Sequence, residues 1–133
     1  MFDEAVSEYK KTLSIDTTCA KARNNLGTAY LKTGELDKAI SEYTQAIAIK
    51  PDNANAHYNL GKAYGMKGKF NAAISEYKKA LALHPNHVEA HNYLSVAYYY
   101  KGNYKSSILH CDRARALGFH VNPKLLELLK PYR

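Results

Sequence analysis

The sequence predicts an all-α protein, an array of antiparallel helical hairpins that ends in a capping helix. The first observation is a period of 34 residues, which relates Gly27, Gly61 and Ser95 and recurs in several other columns of the chain. The second is that apolar residues within each period follow the spacing of one helix face. The third is that Gly34 and Pro51 stand where one predicted helix should end and the next begin. Such arrays stack because a single hairpin cannot bury its apolar face alone.

The period divides the chain, taken as a single domain over 1–133, into five segments. These are a half repeat at 1–19, repeats at 20–53 and 54–87, a degenerate repeat at 88–121 and a capping helix at 122–133. Residues 1–5 align with 35–39, the start of a second helix, so we expect a C-terminal piece of a longer array. At the other end Pro123 suits a first helical position, and four leucines follow it on an apolar face.

The repeated columns resemble those of the tetratricopeptide repeat family. In one unit the family's characteristic positions are held by Leu26, Gly27, Tyr30, Ala39, Tyr43, Ala46 and Pro51. The family's early tryptophan is replaced by Arg23, His57 and His91, and we interpret the two histidines as packing residues. The resemblance implies a right-handed superhelix whose concave side is lined by the first helix of each hairpin. It also implies a protein-interaction scaffold that binds a peptide or protein segment in that groove.

Residues on the groove side of the first helices are the predicted ligand contacts. Asparagine amides can both donate to and accept from a peptide backbone, lysines favour an acidic or carboxylate-bearing ligand, and tyrosines offer large contact area at low entropic cost. The alternative is an ordinary solvated helix face. The predicted contacts are Lys21, Asn24, Asn25, Thr28, Lys32, Asn55, Tyr58, Asn59, Lys62, Met66, Asn92, Tyr93, Tyr99 and Tyr100.

The two-carboxylate clamp of chaperone-binding family members is not preserved. The corresponding places hold Asn24, Thr28, Asn59, Glu89 and Tyr93, of which only Asn59 matches. Glu89 would repel a carboxylate. The sequence therefore predicts a groove that uses other contacts.

No catalytic or metal-binding pattern is recognised in the sequence. His84, His87 and His91 are close together, but His84 precedes a proline and His91 occupies a packing column. Cys19 and Cys111 have neither metal-ligand nor redox spacing. We therefore predict no enzyme activity, no metal and no cofactor.

The formal net charge of +7 raises nucleic acid as a rival partner. Most lysines are scattered, and only Lys101, Lys105, Arg113 and Arg115 suggest a local patch. A protein or peptide, with acidic ones favoured, is therefore the expected partner rather than nucleic acid. No apolar run is long enough to span a membrane and no signal peptide is recognised, which predicts a cytoplasmic protein or a fragment whose targeting segment has been removed.

Self-association is the second functional hypothesis. The N-terminal helix is expected to expose Val6, Tyr9 and Leu13, which could dock on the capping helix or on a second copy. This reading predicts a structural module that forms homo-oligomers through its terminal helices.

Overall fold

The computed structural model describes residues 2–16 and 19–133, and these form helices and their connections without a β-strand. The prediction of an all-α array is confirmed. The helices are α1 (Phe2–Ile15), α2 (Ala20–Lys32), α3 (Leu36–Ile49), α4 (Ala54–Met66), α5 (Phe70–Leu83), α6 (Val88–Tyr100), α7 (Tyr104–Ala116) and α8 (Pro123–Leu129), followed by a 3-10 turn at Lys130–Tyr132.

Four helices end in the same glycine-dependent turn. After α2, Gly34 takes a φ of +80°, which places the N–H of Glu35 2.9 Å from the carbonyl of Tyr30. That bond satisfies a carbonyl which the end of the helix would leave without a partner, and a glycine adopts the left-handed conformation without strain. The other glycines with positive φ are Gly68, Gly102 and Gly118.

Each of the first seven helices packs mainly against its neighbours in the chain, which is the arrangement of a solenoid. The hairpins α2–α3, α4–α5 and α6–α7 stack through the contacts α3–α4 and α5–α6. The helix α8 covers the last hairpin, where Leu125 and Leu129 are buried in a cluster with Cys111 and Ala114. No helix among the described residues is long and apolar enough to cross a membrane.

The helix α1 packs against the first hairpin, and the side chains that make this contact are the ones that were expected to be exposed. Val6, Tyr9 and Leu13 are half-buried and pack against the cluster that contains Leu26 and Tyr30. The prediction that these three side chains are exposed is therefore wrong, because α1 uses the same apolar face that α3 and α5 use in their hairpins. The self-association hypothesis loses the surface on which it was based.

Close approach within the hairpins depends on small residues that face a large ring. A Cβ added at Gly27 would lie 2.8 Å from the ring of Tyr43, and one at Gly61 would lie 2.7 Å from the ring of Tyr77. Both rings are buried and have no room to move aside. This column therefore requires glycine wherever the facing residue is tyrosine.

The last hairpin solves the same packing problem with different residues. Ser95 stands in the glycine column and Cys111 in the tyrosine column. The hydroxyls of Ser95 and Ser107 each donate to the other residue's backbone carbonyl at 2.7 Å. The smaller cysteine leaves space for serine, and the reciprocal bonds satisfy both buried hydroxyls.

Candidate functional site

Two adjacent pockets lie on either side of α6. The α4–α6 pocket has a volume of about 280 Å³ and is lined mainly by apolar and aromatic side chains of α4, α5 and α6. The α6–α8 pocket has a volume of about 260 Å³ and extends to the capping helix. They share Tyr93, Val96 and Tyr100, here called the α6 ridge.

The α4–α6 pocket exposes apolar surface that is available for contact. Met66 is 54% exposed and Tyr100 is 63% exposed. The ring of Tyr100 stacks on Phe70 with centroids 5.0 Å apart, which fixes one wall of the pocket. Met66 also lines the pocket, and its flexible thioether can adapt to the shape of a ligand. The pocket therefore combines a rigid aromatic wall with an adaptable one.

A lysine lines each pocket. In the α4–α6 pocket the ammonium group of Lys62 lies 5.4 Å from the ring centroid of Tyr93, within cation–π distance. In the α6–α8 pocket Lys124 stands beside Leu125 and Leu128. Each site therefore has an apolar surface with a positive charge next to it.

Tyr58 is directed into the junction between hairpins. Its ring lies 5.7 Å from that of Tyr93, 6.2 Å from that of Tyr77 and 4.9 Å from that of His87. Burial is the main reason that the pKa values of the Tyr58 and Tyr77 phenols are raised, so both stay neutral at physiological pH. Tyr58 contacts Tyr93 of the α6 ridge and does not line either pocket.

His87 connects the same junction to α4. Its Nδ1 accepts from the backbone N–H of Ala90 at 3.1 Å, so the ring proton is on Nε2, which donates to Oδ1 of Asn55 at 2.8 Å. Burial lowers the pKa of His87 and favours this neutral form. Asn55 is thus engaged in holding α4 against α6.

Two of the predicted asparagine contacts, Asn24 and Asn59, are also hydrogen-bonded within the protein. The side chain of Asn59 donates to Oδ1 of Asn24 at 3.4 Å. The hydroxyl of Thr28 donates to the backbone carbonyl of Asn24 at 3.1 Å and lies within hydrogen-bond distance of the Tyr43 hydroxyl at 2.9 Å. Asn25 is half-buried. These residues lie outside the two pockets.

The structure brings together six of the fourteen predicted contacts. Lys62 and Met66 line the α4–α6 pocket, Asn92 and Tyr99 line the α6–α8 pocket, and Tyr93 and Tyr100 line both. The eight predicted contacts outside both pockets are Lys21, Asn24, Asn25, Thr28, Lys32, Asn55, Tyr58 and Asn59.

Several pocket residues were not among the predicted contacts. Val96 shares the helix face of Tyr93 and Tyr100 at a spacing of three and four residues, a signal that was sufficient to include it. Phe70 begins a second helix, and Leu128 belongs to the cap whose leucines were assigned to its apolar packing face. Neither could be inferred from the periodicity of the first helices.

Comparisons with known proteins agree with this architecture. A TPR repeat model matches residues 29–68, and two tetratricopeptide repeat models match residues 54–87 and 76–108. The solved structure "Crystal structure of MamA" superposes with a TM-score of 0.83 at 30% identity and covers 88% of this chain and 68% of that chain. "Crystal structure of MamA protein" gives 0.82 at 30% identity, covering 88% and 64% respectively. "MamA RS-1 ArsTM double mutant" gives 0.82 at 25% identity, covering 88% and 66%.

The chain belongs to the tetratricopeptide repeat family and is a protein–protein interaction scaffold. It spans about two thirds of the length of the MamA structures that it matches. No curated protein sequence matches it significantly. The fold and its structural neighbours are typical of non-enzymatic scaffold proteins. Among residues 2–16 and 19–133 there is no group of three or more His, Cys, Asp or Glu side chains that could hold a metal ion.

Proposed function

We propose that this scaffold binds a linear peptide segment that crosses the α6 ridge and places one apolar side chain in each adjacent pocket. The observation that carries the proposal is the pair of apolar pockets on one helix, each lined by a lysine. Two observations favour a peptide over a small molecule as the ligand. The chain is built of tetratricopeptide repeats, a family of protein-binding scaffolds, and the pocket residues Met66 and Tyr100 are exposed at the surface.

The spacing of the pockets defines the kind of peptide. Packed helices lie about 8–10 Å apart, so the centres of pockets on opposite sides of α6 are separated by about the same distance. A peptide in the polyproline II conformation advances about 3.1 Å per residue and completes a turn every three residues, so side chains three positions apart lie on one face about 9 Å apart. Two apolar residues at that separation would therefore occupy the two pockets together.

The charges favour acidic residues beside the apolar ones. Lys62 and Lys124 are the pocket-lining cations, and the chain as a whole carries a formal charge of +7. Opposite charge steers a ligand toward such a surface and affects the association rate more than the final affinity. The proposed ligand is an acidic segment with a Leu-x-x-Leu pattern.

A panel of synthetic peptides tests this function. The probe is an acidic, fluorescently labelled peptide with two leucines, and the separation of the leucines varies from one to five positions. We expect anisotropy to show the tightest binding at a separation of three. Met66→Glu and Leu128→Glu should each weaken that binding at least tenfold, because each places a carboxylate in a pocket beside an acidic ligand.

Leu109→Glu is the matched control. Leu109 is 47% exposed, close to the exposure of Met66 and Leu128, but it lies on α7 outside both pockets. Its replacement should leave binding unchanged. Equal affinities for all three variants, or no dependence on leucine separation, would show that the peptide does not use these pockets.

A further inference from the structure

One column of side-chain pairs joins the two helices of every hairpin and changes its chemistry in the last one. In the first two hairpins a basic side chain meets a carboxylate, at 3.1 Å and 2.8 Å. In the third hairpin the carboxylate column holds a second histidine, and the two Nδ1 atoms are 3.0 Å apart. The pairs, each 34 residues after the last, are Arg23–Glu42, His57–Glu76 and His91–His110.

The hydrogen bonds of His91 restrict where protons can be. Its Nε2 lies 2.9 Å from the backbone carbonyl of Pro85, which only accepts, so Nε2 carries a hydrogen. A 3.0 Å contact between two Nδ1 atoms needs one hydrogen between them. That hydrogen belongs to His110 when both rings are neutral, and it can belong to His91 when the pair holds one additional proton.

A second additional proton is not compatible with this geometry. Both Nδ1 atoms would then carry hydrogens that point at each other, and two imidazolium rings would face across a centroid distance of 5.3 Å. His91 is only 5% exposed, so water screens the repulsion poorly. In the preceding hairpin, by contrast, a protonated His57 would attract Glu76.

The groups packed around His110 act in the same direction as His91. Arg113 lies one turn further along α7, and Lys78 approaches from α5 with its ammonium group 5.8 Å from the ring of Tyr98, which stacks on His110. Burial, then His91, Arg113 and Lys78 lower the pKa of His110 to about 4. These cations supply no counter-charge for a protonated ring.

The acidic residue of α6, Glu89, lies beside His87 and not beside the His91–His110 pair. Glu89 is directed at His87, with 3.6 Å between its carboxylate and Nδ1. His87 also faces His84 and His91, and burial lowers its pKa. The described surroundings of the pair thus favour its less protonated forms.

We propose that the His91–His110 pair is an acid-sensitive latch of the α6–α7 hairpin. The latch is closed while one hydrogen lies between the two rings, and it opens when both rings are protonated. A histidine whose pKa is depressed on folding stabilises the protein fully above the unfolded pKa near 6.5, and that contribution is lost as pH falls from there toward 4. The stability of this hairpin should therefore fall in mildly acidic solution.

The latch also has a consequence for the groove that rests on the proposed function. The helix α6 supplies the ridge of Tyr93, Val96 and Tyr100, so separation of α6 from α7 would disturb both pockets. Peptide release at acid pH would follow. Because the latch itself can be measured without a peptide, its failure is distinguishable from failure of peptide binding at neutral pH.

Histidine-resolved NMR of the peptide-free chain tests the latch directly. We expect one ring of the pair to bind its additional proton only near pH 4, together with shifts of backbone amides in α6 and α7. The exposed His120 lies outside the pair and serves as the internal reference in the same spectra. Protonation of both rings in the ordinary histidine range, with α6 and α7 unaffected, would overturn the proposal.

Reciprocal variants provide a second test by thermal unfolding. His110→Glu restores the carboxylate of the column, and the wild type should lose roughly 3–8 °C more in Tm than this variant between pH 7 and pH 5. Glu76→His creates a second histidine pair and should increase the acid sensitivity of the chain. Parallel pH profiles for the wild type and either folded variant would contradict a latch.

Discussion

Two glycines of α4 show how differently a single methyl group can act within one hairpin. A Cβ at Gly61 would meet the buried ring of Tyr77 at 2.7 Å and the carbonyl of Ala73 at 3.2 Å, whereas one at Gly65 would meet the Tyr77 hydroxyl at 3.7 Å. The first is a steric overlap and the second is an ordinary contact. The requirement for glycine therefore belongs to one position of the helix and not to the other.

Alanine at these two positions should have opposite effects on stability. Gly61→Ala should reduce the free energy of unfolding by roughly 1–3 kcal/mol through overpacking. Gly65→Ala should be neutral or add up to about 1 kcal/mol, because alanine loses less backbone entropy in a helix. Urea denaturation followed by circular dichroism measures both, and equal effects of the two changes would refute the packing argument.

The charge of Lys62 should matter less than the apolar surface beside it. Lys62→Met keeps the aliphatic stem and removes the ammonium group that lies over Tyr93. An exposed ion pair contributes about 0.2–1 kcal/mol, so we expect acidic peptides to bind no more than about fivefold more weakly. The salt dependence of binding should also decrease in Lys62→Met. The control Lys105→Met on α7 should leave both the affinity and its salt dependence unchanged. A loss larger than that of Met66→Glu would show that charge, rather than apolar contact, dominates recognition.

At the scale of helices, the sequence was sufficient to predict where most elements begin and end. The glycine after α2 and the proline after α3 mark physical boundaries, since positive φ and a missing N–H both interrupt a helix. The helix α2 ends at Lys32 with Thr33 as its C-cap, directly before Gly34. The division of the whole chain into a half repeat, three repeats and a cap stays a prediction.

The pockets were less accessible to sequence reasoning than the helices. Helical periodicity places Tyr58 and Tyr93 near one face, but only packing shows that Tyr58 is directed into the junction and Tyr93 into the ridge. Likewise His91 was assigned to packing, and its burial agrees with that. Its hydrogen bond to His110 depends on the crossing of two helices that no local pattern specifies.

The capping helix has a buried face and an exposed face, and the neighbouring residues Leu129 and Leu128 allow the role of each face to be tested separately. Leu129 is fully buried against the last hairpin, while Leu128 is 39% exposed and lines the α6–α8 pocket. Leu129→Ala should cost about 2–4 kcal/mol of stability by leaving a cavity. Leu128→Ala should cost less than about 1 kcal/mol of stability and should still weaken binding of the peptide. Thermal unfolding and anisotropy on the same preparations measure the two effects, and similar stability losses would disprove this division of roles.

Across the whole molecule, the proposed binding surface lies toward the C-terminal half of the solenoid. In the first hairpin, the side chains of Asn24 and Thr28, which were predicted to face the groove, form hydrogen bonds within the protein. The apolar and cationic surfaces instead meet around α6, between α4 and the cap. The same helix carries His91, so the proposed binding surface and the proposed acid-sensitive latch belong to one element.

Chemical-shift mapping at neutral pH tests the central claim most directly. The measurement compares backbone amide spectra of the intact chain with and without an acidic Leu-x-x-Leu peptide. Shifts concentrated on the lining residues of α4, α6 and α8, and absent from the outer faces of α3 and α7, are the predicted result. Saturable shifts that instead lie in the first hairpin, or no shifts at any peptide concentration, would contradict a peptide site across the α6 ridge.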